Sequence, residues 1–331
     1  MTAFRLAILL LFSVCAATLA AQDAARFERI DAYEDPEGYY LFLPSDSVRR
    51  AHDSLNLAVF FHGYGALNPL NYGGWLQQLL DAGTAVVYPR YQRNLYVPGT
   101  KRFAPNAAAG ARKGIALLRE RYPRVRTDSV QFFGHSYGGV LASTLATRGS
   151  DYGLPPVSTV FAVAPGTNRF RGSRLDTYVD MPSHVKLVVL SHEDDSIVGD
   201  EFPRLLHETC PAQMQRVWLH QRPVNHVDES CSATHNECYA PRAEFDTGYR
   251  NYTTRKALRV GRQDAVDTEL VYRLSRGLLR YRRTGRLPRV LHIDEATYAF
   301  GTWSDGTPRE GIKISRPAHE DGGDRASVAG Q

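Results

Sequence analysis

The stretch Gly134–Gly139 (Gly134-His135-Ser136-Tyr137-Gly138-Gly139) joins a strand-like run at 128–133 to an apolar, helix-like run at 140–147. Glycines around a serine at such a junction indicate a sharp turn, because a strand and a helix can then pack where a Cβ would collide. The turn strains the backbone at Ser136 and pushes its hydroxyl out of the sheet, beside backbone N–H groups. The pattern predicts a nucleophile elbow.

The chain around this turn alternates between short apolar runs and amphipathic segments. The run at 57–61 is continuously apolar, as a buried parallel strand requires, and 157–163 is predicted as another buried strand. Further strands are predicted at 38–44, 85–88, 129–133, 185–190 and 216–219, and helices at 72–82, 106–121, 140–147 and 266–282. This order predicts an α/β fold with a mostly parallel central sheet and helices on both faces.

The N-terminus has the pattern of a secretory signal. Arg5 precedes a largely apolar run at 6–19, and small residues suited to cleavage follow. We therefore expect a signal peptide at 1–21, a secreted or periplasmic protein, a folded domain at 22–314 and a disordered tail at 315–331. The apolar run is short for a membrane span, and bulky Val14 before Cys15 disfavours lipid anchoring.

Removal of the signal leaves three cysteines in an oxidising compartment, which is an odd number. Cys231 and Cys238 are the closest pair in sequence and would staple a small loop. Cys210 would then be a free, buried thiol. The sequence leaves the pairing among the three open.

The net charge of +5 reflects scattered basic residues, apart from a cluster at 280–289. That cluster follows an amphipathic segment, where cations meet the end of a helix dipole favourably. A solvated helix end explains it better than a nucleic-acid surface. The histidines lack the spacing of zinc ligands, so neither a metal nor another cofactor is expected.

Two loops after predicted strands carry groups that could assist Ser136, because reacting groups gather at the carboxyl ends of parallel strands. The first contains Tyr64, whose N–H could point at a developing oxyanion together with the N–H of Tyr137. The second, at 191–198, contains three acids able to orient an imidazole: Glu193, Asp194 and Asp195.

The general base must be a histidine after the last parallel strand, and two candidates exist. His226 lies closer to the strand end, whereas His235 lies between Cys231 and Cys238, where a disulfide would hold it in place. We favour His235 because a base must be fixed in position, and His226 remains the alternative.

The order of Ser136, an acid and a late histidine resembles the α/β-hydrolase superfamily over about residues 39–308. The run at 60–64 looks like the superfamily's oxyanion-hole loop, and an aspartate three residues before a valine selects Asp195. The Ala-Thr-His run ending at His235 is similar to the histidine loop of secreted cutinase-like members. In this chain extra residues separate it from Ala-Pro at 240–241, which keeps His226 as the alternative base.

The resemblance implies a secreted serine hydrolase that cleaves small or polymeric carboxylic esters, with Ser136, His235 and Asp195 as the catalytic triad. Tyr64 and Trp75 would supply aromatic walls for the substrate. A serine peptidase or amidase, or a non-catalytic binding protein on the same fold, is the alternative. Neither nucleic-acid binding nor stable membrane insertion is expected.

Overall fold

The computed structural model describes residues 26–33, 35–96, 99–168, 170–227, 229–292 and 297–316. The predicted signal peptide at 1–21 and residues 317–331 of the predicted tail lie outside the described residues. Within the described part of the chain, no helix is long and apolar enough to cross a membrane.

A ten-stranded mixed sheet runs through the described part of the chain. Its strands are β1 Phe27–Ala32, β2 Tyr39–Pro44, β3 Asn56–Phe61, β4 Thr84–Pro89, β5 Val130–His135, β6 Val157–Val163, β7 Lys186–His192, β8 Arg216–Gln221, β11 Thr297–Thr302 and β12 Pro308–Ser315. They lie in the order β1-β2-β4-β3-β5-β6-β7-β8-β12-β11. Strands β4, β3, β5, β6, β7 and β8 are mutually parallel, and the pairs at both edges are antiparallel. A small separate hairpin consists of β9 Val224–His226 and β10 Glu229–Cys231.

Helices cover both faces of the sheet. They are α1 Asp46–Ala51, α2 Gly73–Asp81, α3 Phe103–Arg121, α4 Tyr137–Arg148, α5 Glu201–Thr209, α6 Tyr252–Val260 and α7 Tyr272–Thr284, which a π-helical turn at Val266–Val271 precedes. Successive strand residues point to opposite faces, so Phe60 and Phe133 pack in one core with α2 and α7, whereas Phe61 and Phe132 pack in the other with α3 and α4. Burial on both faces explains why the central strands are predominantly apolar.

The structure confirms an α/β arrangement with a large, mostly parallel sheet, and it differs from the prediction at the edges. Residues 308–315 form β12, which pairs antiparallel with β8, so the predicted disordered tail does not begin at residue 315. Ser315 pairs with Trp218 in that register, because Ile312 and Ile314 of the same strand are buried against the core. Helices α1, α5 and α6 were also missed, as were the outermost strands β1 and β11.

Candidate active site

Ser136 occupies the sharp turn between β5 and α4. Its backbone has φ 55° and ψ −124°, a region that residues with a side chain rarely adopt. A Cβ on Gly134 would collide with the carbonyl of Gly138, and a Cβ on Gly138 would collide with the carbonyl of Phe61. Both glycines are therefore required for the close approach of strand and helix that the motif predicted.

Three side chains form a hydrogen-bonded chain at the carboxyl edge of the sheet. The Oγ of Ser136 lies 2.9 Å from Nε2 of His235, and Nδ1 of His235 lies 2.7 Å from Oδ2 of Asp195. Ser136 follows β5, Asp195 follows β7, and His235 lies in the loop after the β9–β10 hairpin. All three residues are buried. The structure thus brings together the three residues that the sequence predicted as nucleophile, acid and base.

The Asp195 carboxylate is fixed on both of its oxygens. While Oδ2 meets His235, Oδ1 accepts from the N–H groups of Ile197 and Val198 at 2.9 and 3.1 Å. Burial by itself raises the pKa of Asp195, but the hydrogen bonds from His235 and from the two amides outweigh it, so the pKa is lowered. The side chain is therefore held as an anion that faces the imidazole.

The other two acids of this loop point elsewhere. Glu193 is exposed, and its carboxylate lies 3.5 Å from the guanidinium of Arg222. Asp194 is also exposed, and only its backbone N–H reaches the histidine loop, at the carbonyl of Ala233. Among the three acids, Asp195 alone contacts the imidazole.

His226, the alternative base, lies on β9 away from Ser136. Its Nε2 is 2.7 Å from Oδ2 of Asp305, and its ring stacks on Trp303 at a centroid distance of 5.5 Å. This histidine ties the small hairpin to the turn between β11 and β12. The geometry favours His235.

A relay of hydrogen bonds joins the elbow to the histidine loop. The Nε2 of His135 lies 2.8 Å from the carbonyl oxygen of His235, which can only accept, so Nε2 carries the proton. Burial lowers the pKa of His135 well below its usual value, so the ring is neutral and its Nδ1 is an acceptor. Tyr72 donates its hydroxyl to this Nδ1 at 2.9 Å and accepts the N–H of Gly63 at 2.8 Å. One relay therefore connects the loops after β3, β5 and β8.

A second relay holds the histidine loop from the side of β7. The Nδ1 of His192 donates to Oε1 of Gln221 at 2.7 Å, and Nε2 of Gln221 donates to the carbonyl of Ser232 at 2.7 Å. Burial lowers the pKa of His192 to about 4, which leaves this ring neutral as well. Sequence reasoning missed both histidines. Each ends a buried strand next to a predicted catalytic loop, and that position is the signal that could have identified them.

The predicted disulfide staple is wrong for this structure. Cys210, Cys231 and Cys238 are all free and buried. The loop of His235 is instead held by side chains, since buried Glu237 accepts from the N–H of Thr234 at 2.7 Å and from Oγ of Ser232 at 3.1 Å. Together with the two relays, these bonds replace the expected covalent restraint.

The predicted oxyanion loop lies against the nucleophile. A Cβ built on Gly63 would lie 3.3 Å from Cβ of Ser136. The N–H groups of Gly63 and Gly65 donate to Tyr72 and to Gln92 at 2.8 Å each. Tyr137 is the first residue of α4, where N–H groups have no acceptor within the helix. The assignment of the backbone N–H groups of Tyr64 and Tyr137 as donors to the oxyanion stays a prediction.

A cavity of about 500 Å³ opens beside Ser136 and His235. The ring of Tyr64 lines it, and this ring stacks on Phe170 with a centroid distance of 5.0 Å and an interplanar angle of 2°. The hydroxyl of Tyr64 donates to the carbonyl of Leu95 at 3.0 Å, which fixes the orientation of the ring. Tyr64 thus lines the cavity beside Ser136, and its role as an aromatic wall for a substrate stays a prediction.

Trp75, the second predicted wall, is not at the site. It is fully buried on α2, packs edge-on against Phe60 and Phe161, and donates its indole N–H to Oγ of Ser275 at 2.8 Å. Its position on the apolar face of the helix directs it into the core, so it serves packing and not substrate contact.

The arginine cluster at 280–289 lies apart from this site. It borders a cavity of about 640 Å³ between α7 and β11, which contains none of the predicted site residues. Arg280 and Arg286 are exposed there, as expected for the solvated end of an amphipathic helix.

Among the described residues, no group of three or more histidine, cysteine or acidic side chains is arranged to hold a metal ion. Comparison of the chain with protein-family models and with curated proteins found no match.

Proposed function

We propose that the protein is a serine hydrolase that cleaves carboxylic esters, and that its sheet is that of the α/β-hydrolase superfamily. The observation that carries the proposal is the hydrogen-bonded chain from Ser136 through His235 to Asp195, with the serine in a strained turn at the carboxyl edge of a parallel sheet. A nucleophile, a base in contact with it and an acid that orients the base constitute the machinery of acyl transfer.

In the proposed reaction, Nε2 of His235 takes the hydroxyl proton as Oγ of Ser136 attacks the ester carbonyl. The oxyanion is stabilised by the amides of Tyr64 and Tyr137, and Asp195 stabilises the imidazolium. The imidazolium then protonates the leaving alcohol as the C–O bond breaks, which leaves an acyl-enzyme on Ser136. Water, deprotonated by His235, attacks the carbonyl of this ester, and the imidazolium returns the proton to Oγ of Ser136 as the acyl–Oγ bond breaks and the free acid leaves.

The test uses the mature protein and a fluorophosphonate probe, which phosphonylates an activated serine and releases fluoride. We expect one adduct per chain, located on Ser136 by mass spectrometry. Ser136→Ala should abolish labelling, whereas Ser150→Ala, which alters an exposed serine outside the site, should leave it intact. A folded protein that takes up no probe would refute the proposal.

The alternative activities differ in what they cleave. A peptidase or amidase on the same fold would turn over the anilide of a given acid as well as its phenyl ester, because the triad serves both reactions. We expect the phenyl ester to be hydrolysed and the anilide to show no turnover above that of Ser136→Ala. A non-catalytic binding protein would hydrolyse neither substrate. The proposed site of action is outside the cytoplasm, in accordance with the predicted signal peptide.

A further inference from the structure

Two cavities meet at His235, and the first has the more apolar lining. The first is the cavity of about 500 Å³ beside Ser136, here called the apolar lobe, and the second is a cavity of about 380 Å³, here called the polar lobe. His235 lines both, as do Ile197 and Lys256, whereas Ser136 and Tyr64 line the apolar lobe alone. Ser136 therefore faces the apolar lobe only, whereas His235 is part of the boundary between the two lobes.

The chemistry of acyl transfer assigns the two lobes to the two halves of an ester. The acyl carbon bonds to Oγ of Ser136 and its oxyanion lies near the amides of Tyr64 and Tyr137, so the acyl chain extends into the apolar lobe. The leaving oxygen receives its proton from Nε2 of His235, so the alcohol lies on the side of His235 and extends into the polar lobe. This assignment rests on the proposed function.

The apolar lobe suits a compact hydrophobic acid. Its walls include the stacked rings of Tyr64 and Phe170, together with the side chains of Leu95, Val198 and Tyr252. Among the described residues on its lining, Lys256 is the only Lys, Arg, Asp or Glu side chain, and Lys256 also lines the polar lobe. A group of several carbons gains by leaving water there, whereas an acetyl group leaves most of this surface uncovered.

The polar lobe presents donors and acceptors side by side. Asp194, Ser196 and Thr234 are exposed on its lining, which also includes Lys256. Within the described part of the chain, neither Asp194 nor Lys256 forms an ion pair. A carboxylate accepts hydrogen bonds and an ammonium donates them, so together they match an alcohol whose remaining hydroxyls do both.

From these observations we propose that the substrates are esters of an apolar acid with a polyhydroxylated alcohol of sugar size. The apolar lobe selects the acid, and the polar lobe selects the alcohol through its further hydroxyl groups.

The experiment compares four esters in a two-by-two design. The acid is either benzoic or acetic acid. The alcohol is either the 6-hydroxyl of methyl glucoside or cyclohexylmethanol, which has a similar size but no further hydroxyls. We expect the benzoyl glucoside to have the highest kcat/KM, at least about tenfold above the benzoate of cyclohexylmethanol and above the acetyl glucoside. Equal or faster cleavage of the cyclohexylmethyl ester, or of the acetates, would overturn the proposal.

A matched pair of variants assigns the selectivity to the polar lobe. Asp194→Asn should lower the preference for the glucoside over the cyclohexylmethyl ester about fivefold and leave the ratio of benzoate to acetate unchanged. Asp53→Asn alters an exposed aspartate ahead of β3, at the opposite end of the strands, and serves as the control. An unchanged alcohol preference in Asp194→Asn would contradict the assignment. Failure of the proposed function is distinguishable, because none of the four esters would then be cleaved and the fluorophosphonate would not label Ser136.

Discussion

The Nε2 of His135 donates a hydrogen bond to the carbonyl oxygen of His235 over 2.8 Å, so the residue before the candidate nucleophile holds the backbone of the candidate base. The two rings lie 4.9 Å apart, and neither histidine needs a charge for this bond. Because the base must stay within hydrogen-bond reach of Ser136, the bond links the elbow to the orientation of the imidazole.

His135→Leu removes this bond and leaves the hydroxyl of Tyr72 and the carbonyl of His235 without their partner. We expect kcat to fall by about 10²-fold with KM nearly unchanged, because the base is displaced and the cavity is not. Unfolding free energy should drop by about 2 kcal/mol for the unsatisfied buried groups. Steady-state kinetics and urea titration measure both effects. His135→Gln, which can donate and accept at similar positions, should recover part of kcat; an equal loss in both variants would count against a positioning role.

The strained backbone of Ser136 predicts a difference between two inactive variants. A φ of 55° with a ψ of −124° is the mirror image of an extended conformation, which glycine adopts readily and alanine does not. Ser136→Gly should therefore be more stable than Ser136→Ala, by about 1 kcal/mol. Thermal unfolding of both proteins measures this difference. A glycine variant less stable than the alanine variant would mean that the turn carries no strain.

Asp195→Asn removes the anion that faces His235. We expect kcat to fall by about 10⁴-fold, because the imidazole loses both its orientation and its charge partner. Since the pKa of Asp195 is lowered in the folded state, its ionisation stabilises the protein above its ordinary pKa of 3.8. That contribution is lost as the pH falls through the lower, folded pKa. Urea titrations from pH 6 to pH 3 should show wild type losing stability more steeply than Asp195→Asn below about pH 4, and parallel curves would contradict the lowered pKa.

Because the three described cysteines are free thiols, we expect the activity and the thermal stability of the protein to be insensitive to reductant. The mature protein should release three titratable thiols per chain after denaturation and at most traces before it, since Cys210, Cys231 and Cys238 are all buried. Burial raises the pKa of Cys231 to about 11 and that of Cys210 to about 12, which makes both thiols slow nucleophiles. Ester hydrolysis and Tm should be the same with and without dithiothreitol. A loss of activity on reduction would indicate a disulfide between Cys231 and Cys238.

The parallel centre of the sheet could be predicted because its strands are largely apolar on both faces, so a run such as 57–61 stands out without reference to its neighbours. The antiparallel pairing of the strands at the two edges of the sheet could not be predicted from the sequence. Strand β12 alternates between buried and exposed residues, and its pairing of Ile312 with Gln221 joins segments about ninety positions apart. Such a signal is weak locally and depends on a long-range partner.

The candidate site, like the fold, could be predicted from the sequence only in part. Ser136 has a local signature, and the chain order with the resemblance selected Asp195. The choice between His235 and His226 was open because both follow β8 in a part of the chain where the sequence predicts no strand or helix. Side chains from other strands, His135 and His192, decide where the loop of His235 lies, and sequence spacing does not report such contacts.

His135 and His192, which hold the loop of His235 through hydrogen bonds, are neutral, and this affects the protonation of His235. His135 and His192 have a lowered pKa because they are buried, so neither takes up a proton across the neutral range. The imidazolium that the proposed reaction forms on His235 therefore has no cationic neighbour from either ring. The scaffold that holds the base can thus be built from histidines without making the base harder to protonate.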